Sequence, residues 1–175
     1  MNSSMERRQP SESSEFQQNL ELLRQMDFFS ALPLEALKVF AYLFIREKFK
    51  PGDHLFQQDD NDGKAFYIIS GTAEVVRQDE RGETTLGRLA QGEFLGGLAL
   101  LGDMRRLFSV RVQTELMCLV MTREKFTKAL EQFPALIPRV LETMVKRIRL
   151  WEERLLLASG GLCDQCRKKI GVSLI

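Results

Sequence analysis

Between Gly92 and Val110 the chain reads GEFLGGLALLGDMRRLFSV, a stretch whose residue types and spacing could do chemistry. Two adjacent glycines, Gly96 and Gly97, feed a short apolar segment, Leu98 to Leu101, able to make one helical turn. Such a turn aligns several backbone N–H groups with no side chain in front of them, which suits an anion. Arg105 and Arg106 follow after a small polar loop, and an arginine there can reach back to the same anion as a forked, two-bond partner. On the residues alone the stretch is either a phosphate cradle or an ordinary glycine turn.

Other candidate groups carry less. Cys163 and Cys166 form a single C-x-x-C pair beside Arg167, Lys168 and Lys169. One pair supplies half of a zinc ligand set, so Cys163 and Cys166 are metal candidates only if a second chain brings the other half. A redox pair and two plain thiols in a tail are the alternatives. Cys118 sits in a strand pattern and reads as core packing. The single histidine, His54, follows a turn with no nucleophile motif near it. The acidic loop Asp59-Asp60-Asn61-Asp62-Gly63 lacks the downstream glutamate of a calcium loop and reads as a solvated turn. No nucleophile, acid–base pair or metal cluster supports an enzyme.

These groups need a scaffold, and the composition provides for one. The chain has 175 residues, 44% of them hydrophobic and 28% charged, which predicts one soluble globular domain with an appended element. Lys+Arg 25 against Asp+Glu 24 leaves a net charge of +1, so no overall basic field points to nucleic acid or a membrane surface. There is no bilayer-length apolar run and no apolar core to the N-terminus, so a cytoplasmic location is expected. Three cysteines do not suggest a secreted disulfide framework.

Along the chain, residues 1–14 are polar and read as a disordered tail. Phe16, Leu20, Leu23 and Met26 fall at helical spacing; Pro33 opens a second helix, Leu34 to Phe44, with Leu34, Leu37, Val39, Phe40 and Leu43 expected inward. The middle switches to short strands: Ile45–Lys50, His54–Gln57, Ala65–Ile69, Ala73–Arg77, Thr84–Leu89, Leu107–Val112 and Leu116–Val120, with a hairpin turn at Asp79–Gly82. Turn signals every eight to twelve residues or so predict an antiparallel barrel or jelly roll. Thr122 is the expected N-cap of a helix over Arg123–Gln132, and Pro134 opens a long helix to about Ala158. The domain is expected over 15–159, with 160–175 a flexible tail holding the cysteine pair.

Phe28-Phe29-Ser30-Ala31-Leu32, Phe49-Lys50-Pro51-Gly52-Asp53, Phe66-Tyr67-Ile68-Ile69-Ser70-Gly71, Leu89-Ala90-Gln91-Gly92 and Phe94-Leu95-Gly96 occur in the order and spacing of a known family. From about Phe28 to Leu156 the chain resembles the cyclic-nucleotide-binding domain of catabolite activator proteins, kinase regulatory subunits and gated channels. The resemblance implies an eight-strand antiparallel jelly roll (a double-stranded β-helix) with N-terminal helices and a long C-terminal helix. It implies a ligand wall at Val75, Leu86, Gly96, Gly97, Leu98, Ala99, Arg106, Leu107 and Phe108. In that family the cassette runs roughly F-G-E-L-A-L, four residues, then P-R-A-A; the glutamate takes the ribose 2′-hydroxyl and the arginine the cyclic phosphate. Here Gly96, Leu98, Ala99, Leu100 and Arg106 match, while Gly97 replaces the glutamate, Arg105 the proline, and Leu107 and Phe108 the small pair. Loss of the charged acceptor is expected to cost ~2–3 kcal/mol, a thirty- to hundredfold weakening. Of Leu107 and Phe108, one should point into the roll and the other out.

The resemblance therefore implies a non-catalytic regulatory or sensor domain with a degenerate cassette, for which a cyclic nucleotide or another phosphate-bearing ligand is the expected occupant. The alternative is a ligand-free interaction or dimerisation scaffold. The final helix, ~37 Å long at 1.5 Å per residue, exceeds the cover one small roll needs. Its basic flank (Lys146, Arg147, Arg149, Arg154) and the apolar set Met144, Ile148, Trp151 and Leu155 make a homodimer through this helix the expected assembly, with a further protein partner to read it. No helix-turn-helix pattern follows, so direct DNA binding is not expected.

Overall fold

The hydrophobic period changes from helical to alternating and back, and the elements change with it. The computed structural model describes residues 12–30 and 32–158. Three helices, α1 (Glu12–Gln25), α2 (Asp27–Ser30) and α3 (Leu34–Leu43), come first. Eight strands follow: β1 (Ile45–Phe49), β2 (His54–Phe56), β3 (Lys64–Ser70), β4 (Ala73–Asp79), β5 (Gly82–Leu89), β6 (Phe94–Leu95), β7 (Ser109–Val112) and β8 (Leu116–Thr122). The chain closes with α4 (Arg123–Gln132) and, after a 3-10 turn at Pro134–Leu136, α5 (Ile137–Ala158). The strands form two antiparallel sheets, ordered β1-β8-β3-β6 and β2-β7-β4-β5, which is the jelly roll expected.

Burial explains the continuous apolar run in β3. Ala65, Phe66, Tyr67 and Ile68 are all buried because their sheet is covered on both faces. Ala65 and Tyr67, with Leu119 and Met121 of β8, face the helices. Phe66 and Ile68, with Leu116, Cys118 and Val120, face the roll interior. The alternation of strand side chains thus splits one run between two cores. The helical core is largely aromatic: Phe28, Phe29, Phe40, Phe94 and Phe126 meet with ring centroids 4.7 to 6.1 Å apart. Edge-to-face and tilted pairs of this kind each add about 0.5–1.5 kcal/mol beyond the area they bury. Asn19, 5% exposed, donates to the Ala41 carbonyl and accepts from Arg46 Nε at 2.9 Å, so α1 is tied to α3 and β1 by one satisfied amide.

Several boundaries differ from expectation. Helix α1 starts at Glu12, inside the stretch read as tail, and Ser30 ends a separate four-residue helix where only a break was expected. Helix α3 buries Ala36, Leu37, Phe40 and Ala41, while Leu34 is 42% exposed and Val39 and Leu43 only half-buried. The small alanines let α3 lie close against its neighbours, which rotates Leu34 off the core face. Strand β7 begins at Ser109 rather than Leu107, and the unforeseen β6 is the two residues Phe94 and Leu95, paired with Tyr67 and Phe66. The Thr122 hydroxyl accepts from Lys125 N at 3.4 Å as the N-cap of α4. Cys118 is fully buried, and burial first, then the charge of Glu47, pushes its thiol up to about 12, so it is a neutral packing group at physiological pH.

On α5, Val140 and Met144 are buried at 1% and 5% exposure, so Met144 belongs to its own chain's core and not to an outward seam. Ile148 is half-buried; among the described residues, the large apolar side chains that α5 presents are Ile137, Leu141, Val145 and Leu150, between 43% and 64% exposed. The expected basic flank is partly neutralised, with Lys146 on Glu142 at 2.8 Å and Arg149 on Glu153 at 3.1 Å. The side chains of Arg147, Trp151, Arg154 and Leu155, and all of Cys163 and Cys166, lie outside the described residues.

Candidate functional site

The site is built where the Gly96 turn meets the start of β3 and the loop leading into β7. Gly96 has φ +80 and caps a 3-10 turn, Gly97–Leu100, whose Ala99 and Leu100 are buried. Arg106 lies beside it. A Cβ built on Gly96 would stand 2.6 Å from the Lys64 carbonyl oxygen and 2.8 Å from Arg106 Nη1. The turn and the guanidinium are therefore in direct apposition, as the cassette spacing led one to expect.

Arg106 is 7% exposed, and three groups hold it. Its Nε and Nη2 both donate to Asp62 Oδ1, at 3.0 and 2.6 Å. Nη2 also donates to the Lys64 carbonyl oxygen. The guanidinium carbon sits 4.0 Å above the Phe56 ring, a cation–π stack. The main chain is pinned as well, Arg106 N to Asp60 O at 2.9 Å and Asp59 N to Arg106 O at 2.8 Å. Among the described residues Nη1 has no acceptor, and it is the nitrogen nearest Gly96. This corrects the reading of the acidic loop: Asp62 is half of a largely buried ion pair, 19% exposed.

A second arginine braces the cassette from behind. Arg123, the first residue of α4, donates from Nε to Ala99 O at 2.7 Å, from Nη1 to Asp103 Oδ1 and from Nη2 to Asn61 Oδ1 at 3.2 Å. Its backbone N–H donates to Gly63 O at 2.7 Å. One side chain thus fixes the 3-10 turn, the loop after it, the acidic loop and the start of α4 together. Neither Asp62 nor Arg123 was expected at the site.

The other expected wall residues separate. Phe108 turns inward, its ring centroid 5.7 Å from that of Phe56, and shares the roll core with Val75. Leu107 turns outward at 70% exposure, and Leu86 and Leu98 stand at the surface at 56% and 45%. A Cβ on Gly97 would meet Phe94 and Met144, and the carbonyl of the buried Ala99 is taken by Arg123. Gly96 and Arg106 are therefore in apposition, Phe108 and Val75 pack on the roll core that includes Phe56, and Leu86, Leu98 and Leu107 are exposed. No cluster of three His, Cys, Asp or Glu able to hold a metal occurs among the described residues, and no helix among them is long and apolar enough to cross a membrane.

With this geometry in hand, comparison with known proteins gives a consistent result. The family model for the cyclic nucleotide-binding domain matches residues 46–133, half of the chain. A cAMP-dependent protein kinase regulatory subunit of Blastocladiella emersonii is 41% identical over 81 residues, covering 45% of this chain and 20% of that protein. The cAMP-activated global transcriptional regulator CRP of Salmonella typhimurium is 28% identical over 109 residues, covering 61% of this chain and 52% of that protein. The matched stretch thus spans about a fifth of the first relative and about half of the second. Among solved structures, the N-terminal domain of a transcriptional regulator from Streptomyces coelicolor superposes with a TM-score of 0.68 at 22% identity, over 75% of this chain and 95% of that one, a likeness of fold.

Proposed function

The chain belongs to the cyclic nucleotide-binding domain family, and from that premise we propose that it is a non-catalytic sensor whose degenerate cassette takes a cyclic nucleotide, or another phosphate-bearing ligand, weakly. Arg106 and the amides of the Gly96–Gly97 turn hold the phosphate, and α5 passes the occupancy on. What supports this reading is Arg106 Nη1, left without an internal acceptor and set against the bare turn at Gly96. The missing carboxylate at position 97 sets the weakness, because a ligand hydroxyl then meets no charged acceptor.

Calorimetric titration of the full chain with cyclic AMP and cyclic GMP tests it. A dissociation constant above about 1 μM is expected, since a lost charged acceptor is worth more than a decade of affinity. Arg106→Lys keeps the charge but loses the fork, and is expected to weaken binding by about tenfold or more; thermal unfolding of the same variant shows that it is folded. Submicromolar binding overturns the weak-site reading. No binding of any cyclic mono- or dinucleotide leaves the alternative, a ligand-free scaffold, which Phe108 in the roll interior and Asp62 on Arg106 would favour.

The same reading places a homodimer seam on α5, now at its exposed apolar residues Ile137, Leu141 and Val145. These recur at the four-residue spacing of one helix face. Sedimentation of wild type against the pair Leu141→Glu, Val145→Glu is expected to show a dimer reduced to monomer. A wild-type monomer at tens of micromolar ends the dimer reading.

A further inference from the structure

Two groups pack on the Phe56 ring, one charged and one apolar. The Arg106 guanidinium carbon stands 4.0 Å from its centre, and the Phe108 ring centroid lies 5.7 Å from it. The inward alternation of β7 runs back through this stretch. Val112, Val110 and Arg106 are buried, the half-buried Phe108 packs on the same core, and Leu107 between them is 70% exposed. Beyond Phe56 the rings continue, Phe56 to Phe66 at 5.9 Å and Phe66 to Phe49 at 6.4 Å. A row of four rings thus fills the roll interior and ends next to the arginine. A site that encloses a whole nucleotide needs about 300 Å³ or more. Two open clefts, of about 560 and 400 Å³, lie between the acidic loop and α4 and between α1 and strands β1 and β3, and neither is lined by Gly96, Arg106 or Phe108.

We propose that Phe108 is a specificity-determining residue: its ring plugs the roll beside Arg106, so the site reads a phosphate and little of what is attached to it, and its ligand is a compact phosphate ester without a nucleoside. This deepens the sensor reading above and rests on its Arg106 site. A phosphate held by Arg106 Nη1 and the Gly96–Gly97 amides has two directions for its substituent, inward along the ring row or outward to solvent. The inward path is closed by Phe108 against Phe56. An adenosine turned outward makes no enclosed contact, so it adds nothing to the affinity of its phosphate. The loss of the carboxylate at position 97 then costs the true ligand nothing, since a small ester brings no ribose hydroxyl in need of it.

Calorimetric titration of the full chain and of Phe108→Ala with glycerol 3-phosphate and with cyclic AMP is the experiment, and Arg106→Lys shows which binding belongs to the cassette. In wild type, cyclic AMP is expected to bind no more tightly than glycerol 3-phosphate. In Phe108→Ala the ratio of the two affinities is expected to shift toward cyclic AMP by about tenfold or more, because even one methylene's worth of apolar pocket discriminates by that much. Phe108→Val makes a smaller opening and shifts the ratio in the same direction by less. Thermal unfolding shows which variants are folded, and if Phe108→Ala is not, Phe108→Val carries the test. Binding of glycerol 3-phosphate that Arg106→Lys weakens, with a ratio unmoved by either substitution at 108, overturns the plug and leaves the sensor reading standing. A tenfold preference of wild type for cyclic AMP does the same. No binding of either probe that depends on Arg106, in any of these proteins, overturns both readings together.

Discussion

Gly96→Ala is expected to lower the midpoint of thermal unfolding by about 6–12 °C, the shift that ~3 kcal/mol produces in a domain of this size. Two costs add. A left-handed backbone charges any residue with a Cβ about 1–2 kcal/mol, and Gly96 sits at φ +80. The new methyl also has no room, with the Lys64 carbonyl oxygen 2.6 Å and the Ala65 Cα 3.2 Å from where it would stand. Both neighbours are backbone of β3, a central strand of its sheet, so neither can step aside without disturbing the ladder. The third neighbour is Arg106 Nη1 at 2.8 Å, so the variant should also lose any anion held there.

Gly92→Ala is the matching control. Gly92 has nearly the same φ, +90, with nothing within 4 Å of a built Cβ. It should carry the backbone cost alone, about 1–2 kcal/mol or roughly 2–8 °C, at the lower end if the loop relaxes. Circular-dichroism melts of the two side by side separate strain from space. Equal shifts would mean that the turn yields freely and that its apposition to Arg106 is not enforced by the fold.

The contrast bears on what could be read from the residues alone. Local signals transferred well: Thr122 as N-cap, the Arg123–Gln132 helix, the hairpin at Asp79–Gly82 and the apolar run of β3 all lie where propensity and period put them. The opposition of Gly96 and Arg106 was legible because cassette spacing carries it. What was hidden depends on partners far apart in sequence. Asp62 is 44 positions from Arg106, and in the sequence it is one of several acids in a loop that reads as solvated. Arg123 is 24 positions from Ala99 and 62 from Asn61, and its local pattern announces only the start of a helix. Met144 has the spacing of an outward seam as well as of an inward one, and only the packing of α5 on the aromatic core decides between them. Leu34 shows the converse, an apolar residue at correct helical spacing left at the surface because alanines at 36 and 41 bring α3 in on another face.

The second large effect concerns the pair that sets the charge of the site. Arg106→Ala should destabilise the fold by about 3 kcal/mol or more, because breaking a buried ion pair from one side strands the other charge. Asp62, 19% exposed, would be left without its cation, and Phe56 would lose its stacked guanidinium. Asp62→Ala strands the arginine instead, but less severely, since the Lys64 carbonyl and the Phe56 ring stay in place. Combining Asp62→Ala with Arg106→Met removes both charges and keeps apolar bulk against Phe56, so the double variant should be more stable than Arg106→Ala alone. Urea unfolding of the four proteins measures the cycle; additive losses would mean that the two side chains act independently and that the pair is incidental. The site gives the cycle a second readout of opposite sign. In Asp62→Ala the Nε and Nη2 donors that now serve the carboxylate are released toward the turn. Affinity for a phosphate-bearing ligand should therefore rise as stability falls. A variant that loses both would show that Asp62 only orients the guanidinium, and that the anion, if bound, is met by Nη1 alone.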